Sequence, residues 1–461
     1  MRHILHISLW CLLLLSGCDT WRTIRPTVST EVAISIPRFS GHRLPNGIQL
    51  YTCAQSHLPM VTVGAVWRVG LASAPRERAG LQRIVASMLA LSDGATAQEI
   101  DRLGSELIVE STAEGALISM RVNAEHAEQA VRLLASTLRQ PMFSPSALDA
   151  ARARLLQQIR TVLAEPRELA QVALMAALYG VEHRLSRPLG TLSAISAITP
   201  ADVEQFQQNY LGPAHIGLMF AGQAEDAEFL QWATQYFGDW QKPTQPVPSL
   251  RMVPSAENGR AVIVPRLGLS QSVLAIGGAG VQLGSADEYP LQLAVSIVSN
   301  HLFRRLRQES GSTYSVSDVV VSFPTGGYYK WQFSVDNSAA MTALDLTLSR
   351  VTKLSLDPLP RAAIPLMRVY ALWDAIGALS FHRGVVGSGA ALLLSGQPVD
   401  RYIQLAMQIP QTTPNQIEAA VSRYMETSQL NMAGVGDPAL LDKPAGRIGR
   451  VLHWDPAVDW K

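Results

Sequence analysis

The sequence predicts an α+β fold laid out twice, as two homologous domains of about 200 residues, each a largely antiparallel sheet covered by helices. The 461-residue chain is 48% hydrophobic, which supplies apolar side chains for two cores. Short β-branched runs and amphipathic helices mix without strict strand-helix-strand alternation, which argues against a doubly wound parallel sheet. The order of elements before a Pro-rich stretch (Pro243, Pro246, Pro248, Pro254) recurs after it, as an internal duplication would.

The elements follow in order from Phe39. Leu44-Pro45-Asn46-Gly47 lies between two apolar runs, and its Asn-Gly pair suits a tight turn with positive φ angles. Val61 to Val69 alternates as a strand, and Arg78 to Leu91 sets Leu81, Ile84, Val85, Met88 and Leu89 at helical intervals. Glu106 to Glu110 and Ala116 to Val122 read as a strand pair, followed by helices near 125–139, 145–164 and 168–179. Thr199-Pro200-Ala201-Asp202 opens another helix through its threonine and early proline, and Ile216 to Phe220 is a continuous apolar strand. Past the Pro-rich stretch, strands are expected near 261–265, 271–277, 313–321 and 327–335, with helices near 287–300, 337–354, 359–379 and 383–394. The implied division is an N-terminal domain at 39–242, a linker at 243–256 and a C-terminal domain at 257–461.

The chain starts as an export signal does, with Met1-Arg2-His3, an apolar run from Ile4 to Leu15, and Ser16-Gly17-Cys18 as a small-residue processing site. The run is too short to cross a hydrocarbon core of about 30 Å. Leu15-Ser16-Gly17-Cys18 looks like a bacterial lipobox, which implies a signal peptide at 1–17, lipidation of Cys18, and a tether at 18–38 holding the protein at the cell envelope, facing the periplasm, on the inner or outer membrane. Cys11 would be removed and Cys53 is left without a partner, so no disulfide is expected. The 38 Lys and Arg balance 37 Asp and Glu, so no overall field attracts nucleic acid or anionic lipid.

Several stretches resemble the insulinase/pitrilysin (inverzincin) metallopeptidases, most of all their two-domain members related to mitochondrial processing peptidase. They are Leu44-Pro45-Asn46-Gly47-Ile48, Val66-Trp67-Arg68-Val69-Gly70, Ala79-Gly80-Leu81, Asp101 to Leu107, Tyr179-Gly180 with His183, Pro188-Leu189-Gly190, and Ile195 to Ile198. The resemblance runs from about residue 39 to 435. Active members carry His-x-x-Glu-His on the helix after Ala-Gly-Leu, two imidazoles for zinc and a glutamate for the attacking water. Arg83, Ala86 and Ser87 stand at those positions, and Gln158 stands where the family's third ligand, a glutamate, is placed. Among the ten histidines no pair has i,i+4 spacing, and the adjacent Glu125-His126 and Glu182-His183 point to different helix faces, as surface or cap residues do.

The second half keeps what the resemblance assigns to substrate binding. A helix ending in Leu306-Arg307 followed seven residues later by Tyr314 matches the family's Arg/Tyr pair, whose guanidinium and phenol are donors suited to a peptide carbonyl or oxyanion. Without the resemblance, Arg307 reads as a helix C-terminal cation and Tyr314 as a packed strand residue. Ser299-Asn300-His301 replaces the Gly-Gly step usual before this helix. The resemblance therefore implies a chain inactive alone, binding no cofactor, that serves as substrate-binding subunit beside a homologous partner bearing the zinc. The alternative is a peptide-binding or scaffold lipoprotein with no peptidase partner.

Overall fold

The computed structural model describes residues 36–55, 58–91, 94–254, 259–356 and 361–460. The lipobox with Cys18 and most of the tether lie outside these residues.

Central strands buried on both faces build two six-stranded sheets of matching plan. In the first, β1 (Ser40–Arg43), β2 (Gln49–Ala54), β3 (Met60–Trp67), β4 (Ile108–Ser111), β5 (Ala116–Asn123) and β6 (Ile216–Gly222) lie in the order β1-β2-β6-β3-β5-β4. In the second, β7 (Arg260–Pro265), β8 (Gln271–Gly280), β9 (Val316–Phe323), β10 (Gly326–Asp336), β11 (Asn431–Gly436) and β12 (Arg450–His453) lie in the order β12-β7-β11-β8-β10-β9. Adjacent strands pair antiparallel except β2 with β6 and, in the second sheet, β7 with both β11 and β12. β12 thus departs from its counterpart β1, which is antiparallel to its neighbour.

The helices of the first half are α1 (Leu81–Ala90), α2 (Gly94–Arg102), α3 (Ala127–Arg139), α4 (Pro145–Ala164), α5 (Pro166–Tyr179), α6 (Leu192–Ser196), α7 (Pro200–Tyr210) and α8 (Asp226–Phe237). Those of the second are α9 (Glu288–Leu302), α10 (Ala340–Leu356), α11 (Ile364–Ile376), α12 (His382–Ser395), α13 (Arg401–Gln411), α14 (Pro414–Tyr424), α15 (Pro438–Ala445) and α16 (Pro456–Asp459). Local chemistry sets several starts. Thr199 and Asp202 form a reciprocal capping box on α7, and Thr413 and Gln416 do the same on α14. At the first turn only Gly47 takes a positive φ, +89°, while Asn46 instead donates its amide to the Phe237 and Trp240 carbonyls. Asn46 therefore ties the turn to the end of α8 and also braces it, its Oδ1 accepting from Ile48 N at 3.3 Å.

α5 explains how the halves join. Every residue from Leu169 to Tyr179 except Gln171 is buried, so this helix is apolar all round and needs cover on all sides. It lies against β7, β8 and β11 of the second sheet. There the Tyr179 hydroxyl donates to the Gly327 carbonyl at 2.7 Å and Gln332 Nε2 to the Arg167 carbonyl at 2.8 Å. In return α12 of the second half lies on β2, β3 and β6. Leu393 fills the space above Gly217, and a side chain at Gly389 would collide with the Met219 sulfur. Each sheet therefore has helices of its own half on one face and a helix from the other half on the opposite face. Residues 241–254 form neither helix nor strand, yet they are fastened along the body by Gln245 N to Asn209 O, 2.8 Å, and Thr325 Oγ1 to Leu250 O, 2.5 Å. Together with the exchanged helices they leave residues 36–461 one compact unit.

α11 lies within a stretch, Arg361–Ser380, long and apolar enough to cross a membrane by length and mean hydropathy (1.3). It is amphipathic, burying Ile364, Met367 and Ala371 against α9 and α13 while Leu366, Tyr370 and Trp373 stay exposed.

Candidate functional site

The helix carrying the degenerate zinc positions is set by two glycines. Gly80 has φ +99° and Gly190 has φ +89°, and a Cβ on Gly190 would overlap the Ala79 carbonyl, so only glycine lets the segment around Pro188 cross the start of α1 this closely. That crossing brings the Pro188 carbonyl to Arg83 Nε at 2.8 Å, and Arg83 Nη1 reaches the Ser111 carbonyl at the end of β4 at 3.4 Å. Arg83 forms no ion pair with any described residue. Burial without a carboxylate lowers its pKa to about 10, which still leaves it protonated at neutral pH.

Arg83, Ser87 and Gln158 are brought together. They line one cavity of about 190 Å³ with Arg154, Val109, Ser111, Ala151 and Leu155. Ala86 does not join them; it is wholly buried in the core of the first half. The Ser87 hydroxyl oxygen is buried and makes no hydrogen bond. Arg154 escaped the sequence reading although it sits one turn before Gln158 on α4, the i,i+4 spacing that puts both on one face.

These residues do not fit a zinc ion. A guanidinium is a cation with donors only, a methyl group offers nothing, and an amide oxygen or a neutral hydroxyl is a weak replacement for imidazole and carboxylate. No group of three or more His, Cys, Asp and Glu able to hold a metal occurs among the described residues. His183, as its position suggested, is a cap: its Nδ1 accepts from Leu185 N and its Nε2 contacts the Arg251 carbonyl at 2.9 Å. Cys53 is buried with no disulfide, and burial pushes its thiol to about 11.

Arg307 and Tyr314 are brought together. α9 widens into a π-helical turn, Phe303–Glu309, in which Leu306 is buried and Arg307 points outward. The chain then turns through Gly311 at φ +65°, and buried Thr313 is pinned by its hydroxyl to the Ser334 carbonyl at 2.6 Å. Tyr314, 80% exposed, lies with its ring centroid 5.2 Å from Arg307 Cζ. Arg307 does stand in the last turn of its helix, whereas Tyr314 is not a packed strand residue, being exposed just ahead of β9. They form an exposed cation–π pair, worth about 0.5–1 kcal/mol, that leaves guanidinium N–H groups and the phenol free to donate.

A larger cavity, about 510 Å³, was not foreseen from the sequence. It lies on the face of the first sheet that α12 covers, lined by Thr62, Glu106, Ile108, Glu110, Leu117, Arg121, His382 and Arg383 among others. His382 bridges Thr62 Oγ1 at 2.8 Å and Gln55 Oε1 at 3.1 Å, and Arg383 pairs with Glu110. Only the exchange of α12 brings these residues together.

With this geometry in hand, comparison with known proteins is informative. The family description "Insulinase (Peptidase family M16)" matches residues 53–191, and "Peptidase M16 inactive domain" matches residues 197–365. The chain belongs to the M16 peptidase family. It is 24% identical over 277 residues to mitochondrial-processing peptidase subunit beta of Blastocladiella emersonii, covering 58% of each chain. The chain spans between 56% and 66% of the length of the curated relatives it matches. In structure it resembles a peptidase M16 inactive domain from Pseudomonas fluorescens, with TM-score 0.78 and 17% identity over 87% of this chain and 98% of that one. It also resembles a chain of complex III2 from Candida albicans, with TM-score 0.75 and 16% identity over 90% of this chain and 100% of that one. These likenesses bear out the duplicated α+β fold. At the positions that the resemblance gives to the zinc ligands and the catalytic glutamate, this M16 chain carries Arg83, Ala86, Ser87 and Gln158.

Proposed function

We propose that this protein is the non-catalytic, substrate-binding subunit of a heteromeric zinc metallopeptidase that cleaves peptides or unfolded protein segments. The observation that carries this reading is an asymmetry within one chain: the zinc positions hold Arg83, Ala86 and Ser87, while Arg307 and Tyr314 remain exposed and paired. A zinc-bearing M16 homologue as partner would supply the metal, and this chain would supply donors for the peptide backbone. The exposed stripe of Leu366, Tyr370 and Trp373 on α11 supports association with another protein, since contiguous apolar surface is costly in water. The lipobox-like Cys18 supports a lipid-anchored, periplasm-facing location. Loss of labelled acyl chain on Cys18→Ala tests it.

The deciding experiment is purification of the tagged mature chain from its native cells, with zinc analysis and a fluorogenic peptide assay. A co-purifying homologue with an intact zinc motif, whose activity falls at least tenfold on Arg307→Ala, establishes the paired peptidase. A zinc-free chain with no such homologue removes it and leaves a peptide-binding or scaffold lipoprotein.

A further inference from the structure

The cavity around Arg83, Ser87 and Gln158 carries positive charge only. Of the polar side chains that line it, Arg83 and Arg154 are cations, Ser87 carries a buried hydroxyl with no partner, Gln158 and Ser111 are neutral, and no carboxylate is present. Arg83 spends Nε and Nη1 on two backbone carbonyls, which fixes the plane of the guanidinium and leaves Nη2 without a partner. Arg154 makes no hydrogen bond or ion pair with any described residue. The nearest acids along β4 are no remedy, because Glu106 and Glu110 line the other cavity, on the opposite face of the sheet. A protonated, partly buried guanidinium without a counter-ion, lining one cavity with a second guanidinium that has no partner among the described residues, is a pair of charged donors without an acceptor.

We propose that this cavity binds an oxyanion, the C-terminal carboxylate of a peptide. Arg83 Nη2 and the Arg154 guanidinium donate to its oxygens, and Gln158 closes the rim. About 190 Å³ admits a carboxylate with its terminal residue but no folded segment. The cavity opens beside Val109 and Ser111 of β4, the edge strand of its sheet, along which an extended chain can lie. The oxyanion site stands on the side chains themselves; that the oxyanion belongs to a peptide rests on the substrate-binding reading above.

Calorimetric titration of the full mature chain, at low ionic strength, with an N-acetylated tetrapeptide, its C-terminal amide and inorganic phosphate tests both parts. The free acid is expected to bind about tenfold or more tightly than the amide, the scale of charge-assisted hydrogen bonds. Arg154→Gln, a change at an exposed side chain, should abolish that difference without affecting the amide. Equal binding of acid and amide, indifferent to Arg154→Gln, overturns the inference and leaves peptide binding standing. Phosphate binding that depends on Arg154, with neither peptide bound, overturns the peptide assignment while keeping the oxyanion site, and the substrate-binding reading stands or falls separately on the Arg307→Ala assay. No binding by any of the three overturns the inference entirely.

Discussion

Exchange of α5 and α12 between the halves predicts that the two sheets lose their protection together, and Leu174→Ala tests this. Leu174 is fully buried at the centre of α5, a helix that belongs to the first half in sequence and packs on the second sheet. Truncation removes three carbons at about 0.8 kcal/mol each. The cavity left behind raises the cost to about 3 kcal/mol or somewhat more, within the range found for buried leucines. Since about 1.4 kcal/mol is a tenfold change in equilibrium, amide exchange through cooperative opening should speed up about a hundredfold. Hydrogen exchange followed by mass spectrometry, at neutral pH where reclosing outruns exchange, reads β3 in the first sheet and β8 in the second as separate peptides. Both should accelerate by the same factor. Acceleration of β3 alone, or of β8 alone, would refute the argument that the exchanged helix makes one cooperative body of the two halves.

Other consequences are equally concrete. Gly190→Ala places a side chain at φ +89° and against the Ala79 carbonyl, so it should destabilise by about 1–2 kcal/mol for the backbone alone and more for the collision, measured by urea unfolding. Gln82 is 1% exposed and neither polar atom of its amide has a partner, so Gln82→Leu should raise stability by about 1–3 kcal/mol in the same assay; a loss would show that the amide is satisfied. Burial raises the Glu114 carboxyl to about 7. Because its folded pKa lies above the unfolded value, its contribution is intact below about pH 4.5 and is lost as pH rises through about 7. Glu114→Gln should therefore match the parent at pH 4 and be the more stable at pH 8. An identical pH dependence of stability in both proteins would remove burial as the cause.

Much of this molecule was legible in its sequence because the signals were local. Helix starts at Thr199 and Pro145 and the strand run at Ile216 depend on residues near one another, whereas Arg83, Ser87 and Gln158 were marked by the family resemblance and not by their spacing. The pairing of Arg307 with Tyr314 likewise came from the resemblance, and the π-helical turn that aims Arg307 was not legible at all. Tertiary structure alone decided the rest. Nothing local shows that α5 is apolar all round because a second sheet covers it, or that Pro243 to Pro254 is fastened to the body rather than free. Arg83 is distinguishable from a surface arginine only when the Pro188 and Ser111 carbonyls, far away in sequence, are found holding it. Sequence periodicity reports which face of an element is buried, whereas the partner that buries it, and the charge left unpaired in doing so, are properties of the assembled fold.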